Sequence, residues 1–312
     1  MAVTLAGDRD GTQVNKEYMR EELKLELELQ AMLNQWGVDT RDVVLQYSNS
    51  SGIKDDQELL KVLQAMTAAY LTTYTALMDN GMQSIAAARA AAAVNESVPL
   101  LRSVNADTAI RAFKADMQTF EANVVKTWKH VPYGAYELTF LDRMKALDLS
   151  AKKTINNIVR PGVKDGLGSR EIAALLESYV NPTADVKPGK PYDIARKLLG
   201  EDVKYLPKDV LPGSMQSNLY SIARTGSAEM YRNMSDWAYE DAEWVEGHDW
   251  VLSNSHPKED TCDDLAAASP YPKGAERPFS HNYCLCDWVP HMKTARELRA
   301  MLDRGDKLYN RD

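Results

Sequence analysis

The hydrophobic pattern of this chain changes period sharply after Ala242, and that change limits the fold more than any other feature. Before it, apolar residues recur at helical spacing. After it, Trp244-Val245-Glu246-Gly247-His248-Asp249-Trp250-Val251-Leu252 alternates apolar and polar residues as a half-buried strand does, with Gly247 placed for a bulge. All three cysteines follow the switch, between Cys262 and Cys286. The expected architecture is mainly α: long helices, then a small C-terminal α+β module. In that module a short two-stranded antiparallel sheet and a long loop are tied together by a Cys/His cluster.

The helical part divides at its punctuation. Met19, Leu23 and Leu27, flanked by Leu25, Leu29 and Leu33, predict an amphipathic helix from Val14 to Gln35, with Gly37 as its stop. Its stripe would pack on neighbouring helices or dock a partner protein. A polar turn at Ser48 to Gly52 precedes a helix from Asp56 to Met78, broken at Asn80-Gly81. An Ala-rich helical run from Ile85 to Val94 follows, then a helix from Ala106 to Lys129 that Pro132 and Gly134 end. Leu147 to Val180 reads as two helices separated by Arg160-Pro161-Gly162 and Asp165-Gly166-Leu167-Gly168, with Ser169 as N-cap of the second. Asn181 to Pro191 and Leu206 to Gly213 read as linkers around a short helix at Tyr192 to Leu199, and a long helix runs from Met215 to Ala242. In residues 253 to 280, Pro257, Pro270, Pro272 and Pro278 exclude regular structure, and the Cys284-Leu285-Cys286 segment running into Trp288 and Val289 is the partner strand. A last helix opens on a capping box of Thr294 and Glu297 and stops at Gly305. Three regions result: a helical domain over 1–135, a mildly basic helical connection over 136–212, and the cysteine-bearing module over 213–312.

A chain of 312 residues exceeds one core of usual size, and 44% hydrophobic with 26% charged residues describes an ordinary folded protein. The net charge of −8 argues against a chain whose main task is coating nucleic acid. Residues 207–312 carry 12 Lys/Arg against 18 Asp/Glu, whereas 150–208 carry 11 against 7, so any DNA contact falls on the middle segment. Met1 to Asn15 lacks a basic stretch followed by an apolar run, so no signal peptide is expected. Val62 to Met78 is uncharged but holds Gln64 and four threonines, which suits a buried helix and no membrane contact.

An odd number of cysteines fits a reducing compartment, and Cys284 and Cys286 are too close to pair without strain. If His281-Asn282-Tyr283-Cys284-Leu285-Cys286 is extended, period-two geometry puts both cysteines on one face with His281 just before them, and Cys262 and His256 can close the set from upstream. Thiolates with imidazole suit structural Zn²⁺, which takes four such ligands tetrahedrally. The other reading is buried thiols and a hydrogen-bonded histidine that pin the loop onto the sheet.

Read as one unit, the C-terminal third resembles the phage Mu F-like family, the minor head or head-morphogenesis proteins of tailed bacteriophages. The matching segments are Ile222-Ala223-Arg224-Thr225, the Trp-bearing strand, Ser255-His256-Pro257-Lys258-Glu259-Asp260-Thr261-Cys262-Asp263, and Pro278-Phe279-Ser280-His281-Asn282-Tyr283-Cys284-Leu285-Cys286. Upstream, Asp165-Gly166-Leu167-Gly168-Ser169-Arg170-Glu171-Ile172-Ala173 looks like the family's helical lead-in. The resemblance covers roughly 147–292. Two positions depart from the family pattern: Leu265 stands where many members have a second cysteine, and Asn282 where they have proline. A Cys3His set remains, Cys262, His281, Cys284 and Cys286, with His256 as alternative ligand. The resemblance implies a structural virion component, inside the capsid or at the portal vertex, that meets the portal protein and/or major capsid protein and affects DNA packaging or ejection. With 26 residues after Cys286, no added catalytic domain is expected, and the chain is expected not to be an enzyme.

Other readings compete residue by residue. Arg224 could brace a loop carboxylate such as Asp260 or Asp263, or be solvated. Asp260, Asp263 and Asp264 fit a polar surface better than a cation site. Trp237, Trp244, Trp250 and Trp288 suit core packing better than base stacking. His130 and His291 have no nucleophile pattern beside them. A zinc-supported nuclease, with His256 or His281 activating water, lacks the basic surroundings a phosphodiester needs, and a DNA-binding packaging factor would rest on the basic middle segment.

Overall fold

The computed structural model describes residues 13–50, 52–134, 137–181, 214–252, 259–281, 284 and 286–310. The expected linkers at 182–191 and 206–213 and the short helix at Tyr192 to Leu199 lie outside them. Described helices are α1 (Gln13–Gln46), α2 (Asp56–Ser103), α3 (Asp107–Thr127) with a 3-10 turn at Trp128–His130, α4 (Phe140–Lys164), α5 (Ser169–Val180), α6 (Met215–Tyr239), α7 (Thr261–Ala267) and α8 (Ala295–Asp303). The strands are β1 (Ser48–Asn49), β2 (Gly52–Ile53), β3 (Val245–Val251), β4 (Tyr271–Pro272) and β5 (Asp287–Met292). The protein is mainly α, as the period of its apolar residues predicts.

Several expected helix breaks are absent. α1 continues through Gly37, whose missing Cβ faces Glu177 Cγ at 3.5 Å on α5. α2 continues through Asn80-Gly81. A glycine inside a helix costs only about 1 kcal/mol, which burial of Met78, Met82, Ile85 and the alanines beyond outweighs. α4 passes Pro161-Gly162 and ends where Gly166 takes φ +76. Gly162 allows close approach to α5, since a Cβ there would meet Ile172 Cγ1 at 3.0 Å. Ser169 is the first residue of α5 and Gly168 its cap; Glu171 closes the turn by accepting from the Gly168 N–H at 2.9 Å. Of the leucines expected to form the stripe on α1, Leu25, Leu29 and Leu33 are buried, while Leu23 and Leu27 face solvent.

The described chain packs as two compact units. One consists of Lys24–Met78 and Thr139–Ala223. Inside it Trp36 stacks on Tyr70 with ring centroids 5.0 Å apart, and the buried Tyr74 hydroxyl donates to the Leu219 carbonyl at 3.0 Å. The other unit consists of Met1–Leu23, Asp79–Leu138 and Arg224–Asp312. Its aromatic centre joins Phe113, Tyr239, Trp244 and Tyr309, and the Trp244 indole donates to Ser97 Oγ at 3.1 Å. Trp244, Trp250 and Trp288 are buried, in keeping with a packing role.

The C-terminal sheet belongs to this second unit. β3 pairs antiparallel with β5, setting Trp250 opposite Trp288 and Val251 opposite Asp287. The expected pair is thus present, and β4 adds a third strand on the other edge of β3, in the order β4-β3-β5. The register shifts between Val245 and Gly247, so the bulge falls where the glycine allows it. A Cβ on Gly247 would sit 2.1 Å from the Tyr271 carbonyl oxygen, so only glycine lets β4 close on β3.

The proline-rich stretch after β3 contains α7 and β4, contrary to the expectation of no regular structure. Its prolines flank α7 and do not interrupt it. The Cys284 to Cys286 segment lies just before β5, which begins at Asp287. α8 has the expected cap: Thr294 Oγ1 accepts from the Glu297 N–H at 3.3 Å, the Thr294 N–H donates to Glu297 Oε2 at 2.7 Å, and Gly305 follows at φ +84.

Candidate metal centre

Cys262 enters the site on the first turn of α7, and local chemistry fixes it there. Asp260 caps that helix, one carboxylate oxygen accepting from the Cys262 N–H at 2.7 Å, while the Asp260 N–H donates to Asp263 Oδ2 at 2.8 Å. The acidic run Asp260 to Asp264 is therefore a helix start, where negative charge is favoured by the unpaired N–H groups. The second Asp260 oxygen lies 3.3 Å from His281 Nε2, so the carboxylate that caps the Cys262 helix also lies beside the histidine.

Cys284 and Cys286 arrive from the other side. Both are buried with Cys262, Trp250 and Trp288 in one small cluster, against which Leu252, Leu265, Ala266 and Tyr271 pack. Leu265, where the resembled family often has cysteine, thus lies in the same apolar wall. All three thiols are free. Cys262 Sγ lies 3.5 Å from Cys284 Sγ, and the Cys286 N–H reaches Cys284 Sγ at 3.4 Å. Hydrogen bonds from Cys262 and then Cys286, with the Arg232 charge acting in the same direction, pull the Cys284 thiol below its ordinary range against the effect of burial. Donating to Cys284 and Cys286, together with burial, pushes Cys262 up.

One donor atom each from Cys262, His281 and Cys284 lie within 4.8 Å of one another. A tetrahedral site with Zn–S bonds of about 2.3 Å has S–S edges of about 3.8 Å, close to the 3.5 Å between Cys262 and Cys284. A disulfide would need about 2.05 Å. The donors and their spacing therefore fit a thiolate-imidazole metal site. The Cys286 thiol is buried in the same cluster, outside the three donors that gather within 4.8 Å. His256 lies outside the described residues.

A buried ion-pair system on α6 backs the site, and sequence reasoning missed it. Arg232, 2% exposed, donates from Nε and Nη2 to the Cys286 carbonyl at 3.0 and 2.6 Å, and from Nη2 to the Cys284 carbonyl at 3.0 Å. Nη1 binds Glu229, whose other oxygen accepts from Arg277 at 2.9 Å. Arg277 also donates to Asn233 Oδ1 at 2.9 Å and lies 3.5 Å from Asp236. Burial opposes the Arg232 charge, but Glu229 and Cys284 more than offset it and raise the guanidinium pKa. The Arg232 guanidinium also sits 5.0 Å above the Trp250 ring. Glu229 and Arg232, three apart on a helix that otherwise buries Met230 and Met234, are the sequence signal that points to this pair.

His291, beyond the cluster, has Asp249 at 2.8 Å and Glu246 at 3.5 Å on its two ring nitrogens. Among the described residues no helix is long and apolar enough to cross a membrane. No family model matches the chain, and no curated protein or solved structure matches it.

Proposed function

We propose that this chain is a minor head protein of a tailed phage, a structural virion component associated with the portal vertex, whose C-terminal module is clasped by one structural zinc. The meeting of Cys262, His281 and Cys284 within 4.8 Å carries the metal half of this reading. The loop and ending that deliver those residues carry the resemblance to the Mu F-like pattern. Cys286 completes a Cys3His set, a closed ligand shell of the structural kind that leaves no position for substrate. The portal protein and/or major capsid protein are its partners. DNA contact is weak and non-specific, and affects packaging or ejection. The protein assembles in host cytoplasm, makes no membrane contact and ends in the capsid interior or at the portal vertex.

Particles purified from the producing host, analysed by mass spectrometry and resolved with their portal, should contain this chain at the vertex in few copies. Particles complete without it overturn the structural reading. Elemental analysis should find one zinc per chain, and well below one sinks the clasp. Metal-dependent cleavage of plasmid DNA, lost in both His256→Ala and His281→Ala, would replace this proposal with the nuclease reading.

A further inference from the structure

We infer that Arg232 is a positioning residue for the metal centre: by holding the Cys284 and Cys286 carbonyls it sets the Cys284 thiol against Cys262 and His281, with Cys286 in the same cluster, before any metal binds. This rests on the zinc clasp proposed above and concerns what prepares it.

The β3-β5 ladder ends at the pair Val251 and Asp287, so the residues just before Asp287 lie beyond its last rung. Backbone there needs other donors. Arg232 supplies them, three hydrogen bonds from one planar group to the carbonyls of residues 284 and 286. Holding both carbonyls on one fork fixes Cys284 and Cys286 against α6, where both join the cluster with Cys262.

The choice of arginine matters. Burying a cation is unfavourable unless it is paired and its donors are filled, and an apolar side chain would fill the space without that penalty. A guanidinium is rigid and always charged, so it fixes two acceptors at once and places positive charge beside the sulfurs that must lose protons to bind metal. Glu229 anchors the fork and Arg277 anchors Glu229, with Asp236 on the far side of Arg277 and buried Asp287 next to Cys286 as the further acidic groups. Outer residues that orient metal ligands typically change affinity 10–100-fold when replaced, which is the scale expected at Arg232.

The test uses the full chain, stripped of metal by chelator, then titrated with Zn²⁺ against a competing dye and with Co²⁺ followed by its absorption spectrum. Wild type is expected to bind one ion with thiolate-to-cobalt charge-transfer bands. Arg232→Lys, which retains charge without the fork, should bind Zn²⁺ about 10-fold more weakly and show weaker charge-transfer absorption per bound cobalt. A role in packing alone would lower stability and leave the cobalt spectrum unchanged. Wild-type and Arg232→Lys proteins with the same zinc affinity and the same spectrum overturn this inference while sparing the clasp. Wild type that binds neither ion overturns both. If Arg232→Lys folds only when zinc is present, the inference is supported; if it stays unfolded with and without zinc, Arg232 serves the fold alone and the inference falls.

Discussion

Cys262 Sγ and Cys284 Sγ lie 3.5 Å apart, although 22 residues separate them in the chain. Without a metal, the thiol contact, the packing of Leu265 and Ala266 on the cysteine cluster and the Asp260–His281 approach hold α7 against the segment that leads into β5. Zinc at a free concentration 100 times its dissociation constant would add about 2.7 kcal/mol of stability. Chelation should therefore lower the melting temperature by about 5 °C for a chain of this size, and Cys284→Ser should abolish the difference between chelated and zinc-supplemented protein. Identical melting curves for the wild type in both conditions would count against the clasp.

Asp260 offers a way to separate the helix cap from the metal. Asn is as good an N-cap as Asp, so Asp260→Asn should leave the stability of metal-free protein unchanged. It removes the negative partner of His281, however, and should weaken zinc binding about 10-fold. Asp260→Ala loses the cap as well, costing about 1 kcal/mol more in the metal-free chain. Urea melts of apo protein and zinc competition titrations read the two effects independently. Equal zinc affinity in wild type and Asp260→Asn would show that the 3.3 Å contact with His281 does not serve the metal.

Gly247→Ala should destabilise the second unit by about 3 kcal/mol or more, in the class of severe backbone conflicts. The added methyl meets a main-chain carbonyl oxygen, that of Tyr271, which cannot rotate away as a side chain could. Relief requires β4 to leave β3, exposing Tyr271, whose hydroxyl donates to the Leu265 carbonyl at 3.0 Å. Equilibrium urea unfolding provides the measurement, and a change below 1 kcal/mol would mean that β4 has no rigid place on the sheet.

The bulge at Gly247, the cap at Thr294 and the switch to strand pairing near residue 245 are all legible in the sequence because each depends on neighbours a few residues away. The stops expected at Gly37 and Gly81 fail for the opposite reason. A local penalty of about 1 kcal/mol is set against burial supplied by distant chain, which no local pattern displays. α7 is missed because the prolines that discourage regular structure stand on either side of it, leaving Thr261–Ala267 free to coil. At the candidate site the donors are recognisable by residue type, and Cys262, His281 and Cys284 do converge. The spacing of Glu229 and Arg232 signals their pairing but not the role of Arg232 at the site, since its other acceptors are main-chain carbonyls 52 and 54 residues away, and carbonyls carry no sequence signature.

His248 should make the second unit acid-sensitive. It sits on β3, 5% exposed, stacked on Trp288 at 5.0 Å with Asp236 3.7 Å from Nδ1. Burial first, then the charges of Arg89, Lys273 and Arg277, with Asp249 opposing, lower its pKa to about 4. An unfolded chain would protonate it near 6.5. Between these values the unfolded state binds a proton that the folded state refuses, so stability rises with pH across the window. It is fully present above about 6.5 and lost as pH falls toward 4, by about 3 kcal/mol at most. Asp236 and Asp287 work against this at the acid end, because burial raises their pKa values and makes folding favour their protonated forms. The comparison with His248→Gln removes that background. Measured by urea unfolding, the stability advantage of wild type over His248→Gln should shrink by about 2 kcal/mol between pH 7.5 and pH 4.5, whereas a constant difference would place the histidine in contact with solvent.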